Sequence, residues 1–347
     1  MAYKYKYFIP QNIAPKGVQS IGVYDGNGAR FCTIPLGRMT PPSKEKLYSF
    51  GLVSDIHILS AEIPPNYVHN TKFDNALSYF ESEGCSFCVV CGDVTQTGFY
   101  RRTDESDAST TYLDETLFAN YKEICDKHTI PVYELCGNHE SYYGMPIIDN
   151  LNKMETYTGN SVLSYTVDRG DDLFILVGQP EDLIVMSDED FAWLGETLEA
   201  NKDKRCFVFV HSYIEEDSGD AKDVRENSIF YYWGTTKTSA FINLLKQYPN
   251  AILFHGHSHM KFECQELDEN ANYTERNGFK SVHIPSSAAP RDVDVENNKS
   301  VDDTAASQGY IVDVYEEYIV LNGIDFINNK PVPLGVYKVD TTGTIAT

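Results

Sequence analysis

Short apolar runs alternate with amphipathic segments along most of this chain. The apolar runs predict strands at 47–55, 85–93, 130–140, 205–213 and 251–259. Segments with apolar residues at helical spacing lie between them, at 72–84, 113–128, 187–202 and 237–249. Ser187 is predicted to be the N-cap of the third of these helices. Alternation of helices with strands that are apolar on both faces predicts an α/β layered architecture with a mixed sheet.

The two ends of the chain have a different pattern, which is typical of β hairpins. Asp25-Gly26 and Asn27-Gly28 separate two short apolar runs, a strong hairpin signal. Residues 309–326 predict two further antiparallel strands. We therefore predict an N-terminal β extension over 1–46, a main domain over 47–325 and a C-terminal β tail over 326–347. Both extensions are candidates for docking in a homo-oligomer.

The charge balance limits the classes of partner. Asp and Glu number 51 against 28 Lys and Arg, which gives a net charge of -23. This field repels long nucleic acids and attracts divalent cations. No apolar run approaches the roughly 18 residues that a membrane helix needs. The first residues also lack an apolar segment of the signal-peptide type, so we expect a cytoplasmic protein without a membrane span.

Three cysteines recur at every third position in the segment CSFCVVCGD, residues 85–93. This spacing is reminiscent of a thiolate metal site. On an extended strand, however, residues three apart point to opposite faces, so Cys88 would face away from Cys85 and Cys91. A cytoplasmic chain of this size is not expected to form disulfides. We therefore interpret the cysteines as core residues and assign the chemistry of this segment to Asp93.

Every predicted strand ends in residue types that bind metal ions. They are Asp55 and His57, Asp93, Asn138 to Glu140, His211, and His257 and His259. In open α/β sheets, ligands bind beyond the carboxyl ends of the strands. Residues two apart on an extended chain point the same way, so each Asp-x-His or His-x-His pair can clamp an ion. Asp93 has two carboxylate oxygens and can bridge two ions.

These motifs, taken in order, resemble those of the calcineurin-like metallophosphoesterase superfamily over about residues 47–325. The matching segments are Asp55-x-His57, Gly92-Asp93, Gly137-Asn138-His139-Glu140, His211 and Gly256-His257-x-His259. The resemblance implies an α/β fold in which helices and sheets form separate layers (α+β layered). In this metallophosphoesterase sandwich, two stacked mixed β-sheets are flanked by helices, here with the small N-terminal β hairpin added.

The resemblance also implies the roles of individual residues. One divalent ion would be held by Asp55, His57, Asp93 and His259, and a second by Asp93, Asn138, His211 and His257. His139 and Glu140 would be catalytic, with His139 beside the substrate. Asn138, His139 and Arg291 are the candidates for substrate binding. Ligands that mix oxygen and imidazole suit Mn, Fe or Zn without selecting one of them.

The implied reaction is hydrolysis of a small-molecule phosphoester by a hydroxide held between the two ions. The segments SDIH (54–57) and GDVTQTG (92–98) are similar to the cyclic-nucleotide phosphodiesterase branch, so we expect a small phosphodiester or a cyclic nucleotide. The segment GNHES (137–141) keeps a phosphomonoesterase or protein phosphatase as the alternative. A non-enzymatic assembly scaffold on the same fold is the second alternative, and it would be expected to have lost ligands.

Overall fold

The computed structural model describes eleven stretches of the chain, which are 20–24, 30–35, 45–59, 68–96, 111–144, 147–181, 184–213, 235–264, 272–275, 278–294 and 299–341. The strands in these stretches are β1 (Ser20–Tyr24), β2 (Arg30–Pro35), β3 (Tyr48–Val53), β4 (Cys88–Cys91), β5 (Val132–Leu135), β6 (Ser164–Asp168), β7 (Asp172–Val177), β8 (Arg205–Val210), β9 (Ala251–His255), β10 (Tyr273–Thr274), β11 (Lys280–His283), β12 (Arg291–Asp294), β13 (Lys299–Asp302), β14 (Gln308–Val314), β15 (Tyr318–Asp325) and β16 (Lys330–Asp340). The helices are α1 (Val68–Ser82), α2 (Thr111–Cys125), α3 (Ile147–Thr158), α4 (Asp188–Ala200) and α5 (Thr235–Leu245), and a 3-10 helix spans His139–Gly144.

Two six-stranded mixed sheets form the body of the molecule. The first has the strand order β16-β15-β14-β3-β4-β5, and the second has the order β10-β11-β9-β8-β7-β6. Strands β3, β4 and β5 run parallel in the first sheet, as do β7, β8, β9 and β11 in the second. The remaining strands of both sheets pair antiparallel with their neighbours. The central parallel strands therefore carry the chain toward the functional region at their carboxyl ends.

The inner faces of the two sheets bury a layer of aromatic side chains against each other. Phe50 stacks on Phe87 at 5.2 Å between ring centroids, and its edge meets Phe174 of the second sheet at the same separation. Phe174 in turn stacks on Phe207 at 4.6 Å. Because side chains alternate between the two faces of a strand, Leu173, Ile175 and Val177 point outward from the same strand. The apolar strands are thus explained by burial on both faces.

Helices cover the outer face of each sheet. Helix α1 buries Phe73, Leu77 and Phe80 against the outward side chains of the first sheet. Helices α4 and α5 do the same on the second sheet with Leu194, Leu198, Phe241 and Leu245. The result is a sandwich of two sheets flanked by helices, and the predicted fold class is confirmed. None of the helices in the described residues is both long and apolar enough to cross a membrane.

The antiparallel strand pairs predicted near the two ends of the chain are also present, while the predicted turn at residues 25–28 lies outside the described residues. Strands β1 and β2 pair antiparallel, as do β14 and β15. Strand β16, within the predicted tail, pairs with β15 and forms the edge of the first sheet. The boundaries of the three predicted domains stay a prediction. Helix α3, the 3-10 helix and strands β6, β7, β10, β11, β12 and β13 were not assigned by the sequence analysis.

The cysteines of CSFCVVCGD follow the prediction in part. Cys88 packs in the layer between sheet and helices, whereas Cys91 lies in the layer between the sheets, so these two face opposite ways. The predicted position of Cys85 is wrong, because β4 begins only at Cys88 and Cys85 packs on the same side as Cys88. All seven cysteines whose side chains the structure describes are free.

Ser187 caps helix α4 as the sequence predicts, and this allows a test of the local structure. Its hydroxyl accepts a hydrogen bond from the amide of Asp190 at 2.9 Å. Ser187→Ala removes this acceptor and should lower the free energy of unfolding by about 1 kcal/mol, measured by urea denaturation. Ser82→Ala, at the exposed end of α1, is the control and should change stability by less than about 0.5 kcal/mol. Equal losses in the two variants would contradict the capping role.

Candidate metal centre

The carboxyl ends of five parallel strands bring the predicted ligands together. Strand β3 leads to Asp55 and His57, β4 to Asp93, β5 to Asn138, β8 to His211 and β9 to His257 and His259. All seven residues are buried, none being more than 8% exposed. They form two groups of potential ligands that share Asp93.

The first group consists of Asp55, His57, Asp93 and His259. The Nε2 atoms of His57 and His259 are 3.0 Å apart. Oδ1 of Asp55 lies 3.1 Å from Nε2 of His259, and Oδ2 of Asp93 lies 3.8 Å from Nε2 of His57. Two imidazole nitrogens and two carboxylate oxygens therefore converge on one small volume.

The second group consists of Asp93, His211 and His257, with Asn138 beside them. Nε2 of His211 lies 3.2 Å from Oδ2 of Asp93 and 3.2 Å from Oδ1 of Asn138. Nδ1 of His257 lies 3.3 Å from the same His211 nitrogen. Asp93, His211 and His257 thus present ligand atoms within 4.8 Å of one another, and Oδ1 of Asn138 lies beside Nε2 of His211.

The Asp55 carboxylate tests whether this arrangement fits bound ions. Among the described residues its Oδ1 accepts no hydrogen bond, although the Nε2 atoms of His57, His211 and His259 lie 3.1 to 3.9 Å away. A buried carboxylate oxygen that lacks a donor is costly unless a cation neutralises it. Divalent transition metals accept this mixture of oxygen and imidazole ligands. The two groups fit a site for two divalent ions.

Contacts behind the ligands fix which atom of each side chain faces the site. Nδ1 of His211 donates to the carbonyl of Cys91 at 2.8 Å, and Nδ1 of His259 donates to the carbonyl of Ala289 at 3.1 Å. Both rings therefore direct Nε2 toward the site. Each carboxylate likewise uses one oxygen to accept a backbone hydrogen bond and directs the other toward the site. Oδ2 of Asp55 accepts from the amide of His257 at 3.0 Å, and Oδ1 of Asp93 accepts from the amide of His139 at 2.9 Å.

Five of the candidate ligands have left-handed backbone conformations. The φ angles of Asp55, His57, Asp93, His257 and His259 are 51°, 42°, 49°, 70° and 62°. A residue with a side chain adopts this region at a cost on the order of 1–2 kcal/mol. Such strain persists only where surrounding contacts impose it, and it concentrates at functional sites. The strain at these five positions thus supports a functional role for the cluster.

A model of the calcineurin-like phosphoesterase family matches residues 48–261 of this sequence. The chain belongs to the calcineurin-like phosphoesterase family. The matched region contains every candidate ligand and both catalytic candidates, His139 and Glu140. The chain is thus a member of the metallophosphoesterase family, with two buried His/Asp groups at its candidate metal centre.

The sequence is also similar to that of a bacterial protein. The uncharacterised protein YvnB of Bacillus subtilis (strain 168) is 24% identical over 255 residues. The alignment covers 67% of this phosphoesterase chain and 17% of YvnB, so the chain spans only a small part of that protein's length.

Solved structures share the fold at low sequence identity. A dimetal phosphatase from Danio rerio has a TM-score of 0.57 at 13% identity, and the match covers 86% of this chain and 100% of the other. A purple acid phosphatase from yellow lupin (Lupinus luteus) seeds has a TM-score of 0.53 at 13% identity, covering 84% and 53%. An anchor protein of the Plasmodium inner membrane complex has a TM-score of 0.51 at 14% identity, covering 85% and 89%. These similarities support the fold of the phosphoesterase.

The electrostatics of the phosphoesterase site follow from buried charges at short range. Burial raises the pKa of the Asp93 carboxyl, but His211 and His139 outweigh this effect and hold it well below its usual range. Burial lowers the pKa of His211, but Asp93 and Asp55 raise it to about 10. Burial and His211 lower the pKa of His257 to about 3. The carboxylates are thus ionised, and a divalent ion that binds His211 displaces its proton.

Glu140 is fully buried and holds two of the ligand loops in register. Its Oε2 accepts from the amide of Gly137 at 2.7 Å, and its Oε1 accepts from the amide of Thr95 at 2.8 Å. Burial, followed by the charge of Asp93, raises the pKa of Glu140 to about 7. We interpret Glu140 as a positioning residue, and its predicted catalytic role stays untested.

His139 and Arg291 differ in their positions relative to the two groups. The side chain of His139 is 13% exposed, and its ring lies 4.6 Å from that of His57 between centroids. Burial lowers its pKa to about 4. Arg291 adjoins His259 through its backbone, but its Nε pairs with Asp302 at 3.2 Å. Its predicted contact with substrate stays a prediction.

The sequence analysis missed residues that support the ligands from outside the motifs. Ser286, Ala288 and Ala289, in the turn after β11, contact the backbone or ring of Asp55 and His259. The available signal was the run of small residues SSAAP at 286–290, directly after an apolar strand. Such a run has no metal-ligand chemistry of its own and resembles an ordinary loop.

Gly256 is needed for the close approach of two ligand strands. A Cβ atom at this position would lie 1.9 Å from Oγ of Ser54 and 2.7 Å from Oδ2 of Asp55. Gly256→Ala should therefore displace Asp55 and lower the metal content measured by inductively coupled plasma mass spectrometry. The control is Gly195→Ala in helix α4, where the nearest atom to the new Cβ, a Leu244 methyl, is 3.6 Å away. Full metal content in the Gly256 variant would contradict this account.

Proposed function

We propose that this protein hydrolyses a small phosphodiester or a cyclic nucleotide by means of two divalent metal ions. The observation that carries the proposal is the pair of buried ligand groups that share the Asp93 carboxylate. Asp55, His57, Asp93 and His259 would hold one ion, and Asp93, Asn138, His211 and His257 would hold the other. Two such ions, when bound, supply a nucleophile at neutral pH and neutralise phosphate oxygens.

The residues of the chain have distinct tasks in this reaction. The ligand residues fix the positions of the ions, because hydrogen bonds from their backbone and ring nitrogens to carbonyl and carboxylate oxygens hold the side chains in place. His139 adjoins both groups but belongs to neither, and its ring is more exposed than those of the histidine ligands in the groups. Because its pKa of about 4 leaves the ring neutral at pH 7, it is placed to donate a hydrogen bond to a phosphate oxygen, the leaving oxygen included.

Two features support an enzyme that acts on small substrates. Every predicted ligand type is present and buried at the site, whereas a scaffold without activity has no reason to keep strained ligands. The net charge of -23 disfavours long polyanions and leaves small phosphoesters, which bound cations can attract. A cytoplasmic location, a homo-oligomeric state and the choice among Mn, Fe and Zn stay predictions.

Phosphomonoester hydrolysis is the second candidate. Two of the similar structures carry the name phosphatase, and GNHES at 137–141 is compatible with that activity. The motifs SDIH and GDVTQTG favour the diester. The two candidates share their metal ligands and differ in the substrate alone.

Variants at Asp93 and His139 separate metal binding from chemistry. Asp93→Asn removes the shared charge, so both metal content and hydrolysis of bis-p-nitrophenyl phosphate should fall, the latter by at least about a hundredfold. His139→Ala should lower kcat by about 10²–10⁴ while both ions stay bound. Asp203→Asn, an exposed position, is the control for the loss of one charge. Metal-dependent activity that survives in Asp93→Asn, or metal lost from His139→Ala, would overturn these roles.

A substrate panel tests the preference for diesters. The protein, loaded separately with Mn, Fe and Zn, is assayed with p-nitrophenyl phosphate, bis-p-nitrophenyl phosphate and 2′,3′- and 3′,5′-cyclic nucleotides. We expect kcat/KM to be higher for the diesters and cyclic nucleotides than for the monoester. A higher value for the monoester would replace the first candidate by the second.

A further inference from the structure

The turn at residues 286–291 holds two ligands of the first metal group, although it lies outside the region matched by the family. The Ser286 hydroxyl donates to the carbonyl of Asp55 at 2.9 Å, and the amide of Ala288 donates to the same carbonyl at 3.3 Å. His259 is held by one hydrogen bond to its ring and one to its backbone. Its Nδ1 donates to the carbonyl of Ala289 at 3.1 Å, and its carbonyl accepts from the amide of Arg291 at 2.7 Å.

These bonds act on backbone that is strained. Asp55 and His259 have φ angles of 51° and 62°, so each would relax toward an ordinary conformation if its contacts were removed. Relaxation would turn the Asp55 carboxylate and the His259 ring away from their present positions. The turn therefore supplies constraints that the ligand segments do not supply themselves.

Ser286 is the central residue of the turn. It is fully buried and lies beside Ser54 in an isolated parallel bridge. Its Oγ accepts from the amides of Ala288 and Ala289 at 3.2 and 2.9 Å while it donates to Asp55. One hydroxyl thus fixes the shape of the turn and joins it to the ligand.

Lys72 attaches the same turn to helix α1. Its side chain is buried, and its Nζ donates to the carbonyl of Ala288 at 2.6 Å. No carboxylate oxygen of the described residues lies within 4 Å of this Nζ. Burial lowers its pKa to about 8, and the charges of Asp303, Asp302 and Asp325 act in the opposite direction. A buried ammonium group needs a hydrogen-bond acceptor, and the carbonyl of Ala288 provides one.

The first turn of helix α1 supports the same ligand group in two further places. Nδ1 of His69 lies 3.0 Å from the carbonyl of His57. Asn70 forms two hydrogen bonds with the backbone of Leu59, at 2.9 and 3.0 Å. Helix α1 and the 286–291 turn thus enclose the ligands of one ion from outside the motifs.

We propose that Ser286 and Lys72 are positioning residues for the ion held by Asp55, His57, Asp93 and His259. They set the affinity for this ion by holding Asp55 and His259 in their strained conformations. The proposal rests on the proposed function only in requiring that divalent ions bind at this site.

Neighbouring serines provide a matched test. Ser286→Ala removes the bond to Asp55, whereas Ser287→Ala removes a hydroxyl that is equally buried but donates or accepts at Ser307, 3.4 Å away. Affinities for Mn and Zn are measured by competition with a chromophoric chelator, and the absorption spectrum of bound Co²⁺ reports ligand geometry. In Ser286→Ala we expect one ion to bind about 10–100-fold more weakly with an altered Co²⁺ spectrum, and the other to bind as before. Ser287→Ala should match the wild type.

Lys72→Met is the second variant and tests the other attachment of the turn. It should weaken the same ion, while Lys127→Met, at an exposed lysine of the described structure, should not. Combining Lys72→Met with Ser286→Ala should weaken binding by less than the product of the two single effects, because both act through one turn. If Ser286→Ala does not fold, Lys72→Met decides the question.

Two results would overturn the proposal. One is wild-type affinity for both ions in Ser286→Ala and Lys72→Met, and the other is an equal loss in Ser287→Ala, which would indicate a general packing effect. A wild-type protein that binds two ions but hydrolyses no phosphoester would refute the proposed function, and the affinities would still decide the roles of Ser286 and Lys72.

Discussion

The Asp93 carboxylate is the group on which the rest of the site depends. It is buried among imidazoles that follow four other strands, and its two oxygens have separate tasks. Oδ1 accepts from the amide of His139, while Oδ2 faces His211 at 3.2 Å and His57 at 3.8 Å. An ionised carboxylate away from water is costly unless it is paired. Its position between two groups of ligands therefore fits a site in which a cation binds on each side of the carboxylate.

The sandwich supplies what this arrangement requires. Parallel strands of both sheets end at the same side of the molecule, so residues distant in sequence meet there without long connecting segments. The aromatic layer around Phe50, Phe174 and Phe207 holds the sheets face to face and fixes the separation of those ends. Rigid strands can then impose left-handed conformations on the residues that follow them.

Residues that carry no chemistry of their own complete the site. Gly256 permits contact between two ligand segments, and Glu140 ties the Gly137 turn to Thr95. Ser286 and Lys72 fix the turn that supports Asp55 and His259. Together these residues hold the ligand side chains in fixed positions. A metal site needs such fixed positions for its coordination geometry.

The sequence by itself determined most strands of the core and the residue types at their ends, because side-chain periodicity and ligand chemistry are local properties. It missed the core strand β7, and the sandwich of two sheets was implied by the resemblance to the family. It also predicted the N-cap at Ser187 and the opposite orientation of Cys88 and Cys91. It failed for Cys85, because only the tertiary structure shows where the strand begins. Which nitrogen of His211 faces the site depends on the carbonyl of Cys91, 120 residues away in the chain. The left-handed ligands and the supporting role of Ser286 were likewise decided by contacts between distant segments, which no local pattern encodes.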